Sequence, residues 1–112
     1  MTIDEILKNI YSLKVKYDLN LLFLDYTDIT LLCRLGFSYD IFIQIYVNIR
    51  KNKVNLALVV KDNRIYGIDR EGGFMHEHPI ESPELHIPHE SEVSIEDFII
   101  KSIDILENLG LL

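Results

Sequence analysis

Between residues 39 and 61 the apolar side chains recur at every second position, and a period of two confines this stretch to β-strands. Residues 39–50 place Ile41, Ile43, Ile45, Val47 and Ile49 on one side, with Phe42, Gln44, Tyr46 and Asn48 on the other. Residues 53–61 repeat the pattern with Val54, Leu56, Leu58 and Val60. A two-residue turn at Lys51-Asn52 sets Ile49, Val47, Ile45 and Ile43 against Val54, Leu56, Leu58 and Val60, so the apolar faces coincide. A second turn at Asp62-Asn63, whose residues tolerate positive φ, puts Ile65, Gly67 and Asp69 on that same core side. Alternation of Ile29, Leu31, Cys33 and Leu35 adds a preceding strand over residues 28–35.

The period changes to 3.6 at both ends of the chain. Thr2 and Glu5 have the spacing of a capping box, and Ile3, Ile6, Leu7 and Ile10, followed by Leu13 or Lys14, recur as one helical stripe over residues 3–16. Ser94 caps a second helix whose first turn carries Glu96 and Asp97, favourable at the positive end of the helix dipole. Its stripe is Ile95, Phe98, Ile99, Ile103, Leu106 and Leu109, and Gly110 stops it. The expected fold is a single α+β domain over residues 1–112. It is an antiparallel four- to five-stranded meander sheet packed on one face by the N-terminal and C-terminal helices.

Length and charge narrow the function. At 112 residues there is room for one core, and no apolar run approaches the roughly 18–20 residues of a membrane span. The start lacks the basic and apolar regions of a secretory signal, and the single cysteine, Cys33, excludes an internal disulfide, so a cytoplasmic location is expected. Net charge is −7, divided as +2 over residues 1–70 and −9 over residues 71–112. Phosphate-backbone binding depends on Lys and Arg, so this balance argues against a general nucleic-acid coating role. A local strip remains, because Arg50, Lys51, Lys53, Lys61, Arg64 and Arg70 lie within 21 residues of one another. Their simplest role is as solvated hairpin charges.

The sheet face away from the helices is expected to hold Phe42, Tyr46, Ala57, Val59, Tyr66 and Ile68 beside Gln44, Asn48, Asn55, Arg64 and Arg70. An apolar patch with a polar edge marks a partner or homodimer interface, with Phe42, Tyr46 and Tyr66 at its centre. The alternative is that residues 74–93 fold over it.

All four histidines fall within one stretch, His76, His78, His86 and His89. If Gly72-Gly73 turns the chain tightly, Asp69 faces His76, Ile68 faces Glu77 and Gly67 faces His78. Asp69, His76 and His78 then share one face at a sheet corner, where a carboxylate beside imidazole suits acid–base work near neutral pH. Arg64 or Arg70 would hold a phosphate or an oxyanion, with Tyr66 orienting it. A second chemistry is a metal site of His76, His78, His86 and His89, completed by Asp69 or Glu90, for a divalent transition metal such as zinc. A third reading is structural, with histidines tying a loop by hydrogen bonds. Cys33 reads as strand core, and no serine or threonine stands in a nucleophile motif.

Residues 40–109 resemble the TumE-type toxins of prokaryotic toxin–antitoxin pairs. The elements that carry the resemblance are Ile68-Asp69, His76-Glu77-His78-Pro79, Ile87-Pro88-His89 and the helix from Ser94. Two features depart from the family pattern: six residues separate Asp69 from His76, and Glu90 rather than a second histidine follows His89. The resemblance implies a small cytoplasmic toxin acting on RNA or translation, held by a cognate antitoxin protein, with Asp69, His76, His78 and His89 as its site. Beside it stand the metal-binding protein and the non-catalytic interaction module that dimerises through the open sheet face.

Overall fold

The computed structural model describes residues 1–71, 74–82, 84, 87–89 and 92–112; at 74 and 87–89 the description is of the backbone alone. The chain opens with helix α1 (Ile3–Lys16) and closes with helix α2 (Ile95–Asn108). Between them lie seven strands, β1 (Asn20–Tyr26), β2 (Thr30–Gly36), β3 (Ile41–Asn48), β4 (Lys53–Val60), β5 (Asn63–Glu71), β6 (Phe74–His78) and β7 (Ile87–His89). Each pairs antiparallel with its chain neighbour, giving one sheet in the order β1-β2-β3-β4-β5-β6-β7. The α+β meander between terminal helices is as expected, with more strands. The additions are β1, whose run Leu21–Leu24 has no alternation to announce it, and the short β7. β6 and β7 extend the sheet edgewise, so residues 74–78 and 87–89 do not fold across it.

The helices are held at their ends by the residues expected there. Thr2 accepts from the Glu5 backbone N–H at 3.2 Å, but its own hydroxyl, not its backbone, meets the Glu5 carboxylate at 3.1 Å. Ser94 and Asp97 form a full reciprocal capping box on α2. At the other end Leu111 N–H bonds to Leu106 C=O and Gly110 N–H to Glu107 C=O, a Schellman motif that needs Gly110 at φ +73°. Lys16 and Tyr17 both bond Glu96, tying the end of α1 to the start of α2.

Both helices cover the same face of the sheet. Ile3, Ile6, Ile10 and Leu13 of α1 and Phe98, Ile99, Ile105 and Leu106 of α2 are buried against Leu31, Cys33, Leu35, Ile43, Ile45, Val47, Leu56, Leu58 and Ile68. Leu109, expected in the α2 stripe, is exposed, and Ile105 takes the core position. Among the described residues, no helix is long and apolar enough to cross a membrane.

Two turns differ from the sequence expectation, with different consequences. The β3–β4 connection takes four residues, 49–52, so Val47 rather than Ile49 faces Val54. Asn48 accepts from the Lys51 N–H and Asn52 sits at φ 50°. A shift of two leaves every side chain on its expected side. The β4–β5 turn is at Lys61-Asp62, both at positive φ (49° and 68°), and Val60 pairs with Asn63. Ile65 is then the extra residue of a bulge: Val59 pairs with Arg64, but Leu58 pairs with Tyr66. Arg64 therefore stays on the open face, whereas Tyr66 and Ile68 turn into the core, and Gly67 and Asp69 turn out of it. This reverses the expected sidedness of residues 66–70, because a one-residue slip exchanges the faces, while the bulged Ile65 still packs against the core.

Candidate functional site

The β5–β6 register is the one expected from a tight reversal: Gly67 pairs with His78, Ile68 with Glu77 and Asp69 with His76. Gly72 and Gly73 themselves lie outside the described residues. Asp69, His76 and His78 share the sheet face opposite the helices. Within that group the closest contact is diagonal, since His78 Nε2 lies 2.6 Å from Asp69 Oδ2. An ionised carboxylate only accepts, so Nε2 carries the proton. A Cβ on Gly67 would lie 3.5 Å from His78 Cδ2 and 3.2 Å from the Leu56 carbonyl oxygen, so a glycine here gives the imidazole its place.

The burial of this pair limits its chemistry. The His78 side chain is 1% exposed and that of Asp69 16%. Asp69 Oδ1 is also buried and finds no hydrogen-bond partner among the described residues. A general base must reach a substrate proton within about 3 Å, and His78 presents almost no surface for that. The pair instead ties β5 to β6 by a charge-assisted bond. His76, opposite Asp69, is half-buried.

The remaining candidates are dispersed. Arg64 lies on the open face, its Cδ 3.6 Å from where a Gly67 Cβ would be. Arg70, expected on that face too, pairs across the sheet with Val54 and Met75 on the helix side, where it bonds Glu92 at 2.7 Å. The two arginines cannot clamp one phosphate together. Tyr66 is no interface residue: it is buried, stacked on Phe98, and donates to Glu77 at 2.8 Å. That burial, and then the Glu77 carboxylate, push its hydroxyl pKa well up. Burial raises the Cys33 thiol to about 11, so it stays protonated and unreactive.

His86 lies outside the described residues, as does the His89 side chain; the His89 backbone pairs with Met75, and Pro88 is the residue opposite His76. Among the described residues, no group of three His, Cys, Asp or Glu side chains is placed to hold a metal.

The open face carries a second feature, away from the titratable cluster. A groove of about 660 Å³ runs across this face from Phe23 of β1 to Arg64 of β5, lined also by Tyr39, Phe42 and Ala57. This volume lies in the range of ligand sites, about 300–1,000 Å³. Arg34 stands in it with its guanidinium carbon 5.7 Å from the Phe23 ring centre and 5.3 Å from that of Phe42. Its Nε donates to Gln44 Oε1 at 3.0 Å. Phe23, Arg34 and Gln44 form a row because β1–β2 and β2–β3 pair Phe23 with Arg34 and Arg34 with Gln44. The expected patch residue Phe42 is part of this lining, and Tyr46, half-buried, lies on the same face beside Asn55. The sequence signal was the lone arginine between Cys33 and Leu35, whose partners only the sheet order supplies.

No protein-family model matches this chain, and no significant match is found among curated proteins or solved structures.

Proposed function

We propose that this chain is a non-catalytic interaction module that docks a partner protein on the open face of its sheet. The observation that carries this reading is one-sided coverage: both helices pack on one face, and the other holds an aromatic-walled groove around an ordered arginine. Exposed aromatic side chains beside a guanidinium are the residue types enriched at protein interfaces. Photo-crosslinking tests it, with p-benzoylphenylalanine placed at Phe42 on the open face and, as control, at Tyr11 on the exposed side of α1. A discrete adduct from Phe42 and none from Tyr11 is expected; its mass identifies a second copy or a different protein. Absence of any Phe42 adduct would remove the reading.

A second reading keeps its motive in the Asp69–His78 pair with His76 beside it: an RNA-directed toxin, held by an antitoxin protein, as the resemblance implies. Growth arrest on expression that is lost in a folded His76→Ala protein would favour it over docking. Unaffected growth with the unaltered chain would end it.

A further inference from the structure

We propose that Arg34 is the anchor of a carboxylate-binding site, filled by an Asp or Glu side chain of an extended apolar segment of the partner protein. The inference rests on the docking reading and names the chemistry of what docks. The first argument is charge. Three described cations, Lys16, Lys53 and Arg70, bond a carboxylate at 2.6, 3.1 and 2.7 Å, whereas others such as Lys8, Arg50 and Lys61 stand exposed in solvent without one among the described residues. Arg34 bonds none among the described residues, although the chain carries eighteen Asp and Glu. Its charge is exposed in the groove, where the described residues that meet it are two ring faces and an amide oxygen.

The second argument is order. A guanidinium between Phe23 and Phe42, with Nε fixed on Gln44, has already lost much of the freedom a long side chain surrenders on binding. Gln44 takes the Nε–H and leaves the two terminal nitrogens, whose parallel N–H groups match the two oxygens of a carboxylate. The third is the surroundings. Leu22, Ala57 and Val59 supply apolar contact around the charge, while Asp62 and a second cation, Arg64, stand at the same groove. The net charge of −7 repels a polyanion and the apolar lining disfavours a hydrated backbone, so an isolated carboxylate on an apolar segment fits better than a nucleic acid.

The test is a titration of the ¹⁵N-labelled full chain, following the Arg34 Nε–H signal. The probes are the capped peptide Val-Glu-Val-Glu-Val, its Val-Gln-Val-Gln-Val counterpart, and a ten-nucleotide oligouridylate. The Glu peptide is expected to shift the Arg34 signal saturably, with the Gln peptide weaker by about tenfold or more, the scale of one charge-assisted contact. Arg34→Gln should abolish that binding with its amide spectrum otherwise unchanged, and Arg34→Lys should weaken it by losing the planar fork. Equal binding of the two peptides, tighter binding of the oligouridylate, or no shift with any probe would each overturn the proposal. The Phe42 photo-adduct separates the two levels. An adduct undiminished by Arg34→Gln overturns the carboxylate anchor and leaves docking in place, whereas no adduct from the unaltered chain removes both.

Discussion

Tyr66 and Phe98 stack with ring centroids 5.6 Å apart and planes inclined by 20°, joining β5 to α2 across the covered face of the sheet. Phe98 is fully buried, and the Tyr66 hydroxyl donates to Glu77 on the neighbouring strand. Phe98→Ala should therefore cost about 3–5 kcal/mol in urea unfolding, the loss of a large core aromatic. Tyr66→Phe keeps the stack and should cost about 1 kcal/mol. If Tyr66 were an interface residue, its replacement would change binding and leave stability untouched; a stability loss for Tyr66→Ala of 3 kcal/mol or so is the opposite outcome.

His78 is nearly inaccessible beside a partly exposed Asp69, so removing the carboxylate strands the imidazole away from water. Asp69→Ala should destabilise the fold by about 3–5 kcal/mol. His76→Ala, at a half-buried site on the same face, should cost less than about 1 kcal/mol. Denaturant midpoints of the two variants at pH 7 provide the comparison, and equal losses would contradict the assignment of the tie to His78.

Two glycines differ in the space they leave for a side chain. A Cβ on Gly36 would lie 2.8 Å from the Ser38 carbonyl oxygen and 2.6 Å from Leu22 Cδ1, whereas on Gly67 the nearest atom is 3.2 Å away. Gly36→Ala should cost about 1–3 kcal/mol by forcing the β2–β3 connection apart, and Gly67→Ala less. Thermal unfolding of the pair gives the ranking directly.

Glu96 receives bonds from Lys16 and Tyr17, and the Lys16 bond first of all holds its carboxyl below the usual range. A depressed folded-state pKa contributes stability above the unfolded value, and that contribution is lost as pH falls through the folded value. The Lys16 ammonium, raised chiefly by the Glu96 bond, loses its share only as pH rises through its own folded value, above 10.5. Glu96→Gln should therefore be less stable than the unaltered chain at pH 7, with the gap closing as pH drops below the ordinary Glu value of 4.5. Urea midpoints across that interval measure it; a gap that persists at acid pH would assign the effect to packing.

Much of the site was legible before the fold. Thr2, Ser94 and Gly110 mark the helix ends by local backbone chemistry, which needs no tertiary partner. The alternation of Ile41 to Val47 and of Val54 to Val60 fixes which sides are buried, and a turn two residues longer than expected leaves that intact. The β5–β6 register, with Asp69 opposite His76, was legible as well. The sides of residues 66–70 were not, because Tyr66, Gly67, Ile68 and Asp69 offer no clean alternation and a single bulged residue, Ile65, decides their side.

Local pattern alone determined the terminal helices, the antiparallel meander and the meeting of Asp69 with the histidine strand, since each follows from periods and turn preferences that act over a few residues. Tertiary structure decided which face each half of β5 presents, that His78 rather than His76 takes the Asp69 carboxylate, and that Arg34 stands between Phe23 and Phe42. Those facts depend on a bulge and on which strands become neighbours, and such choices are settled by how the whole sheet buries one face under two helices.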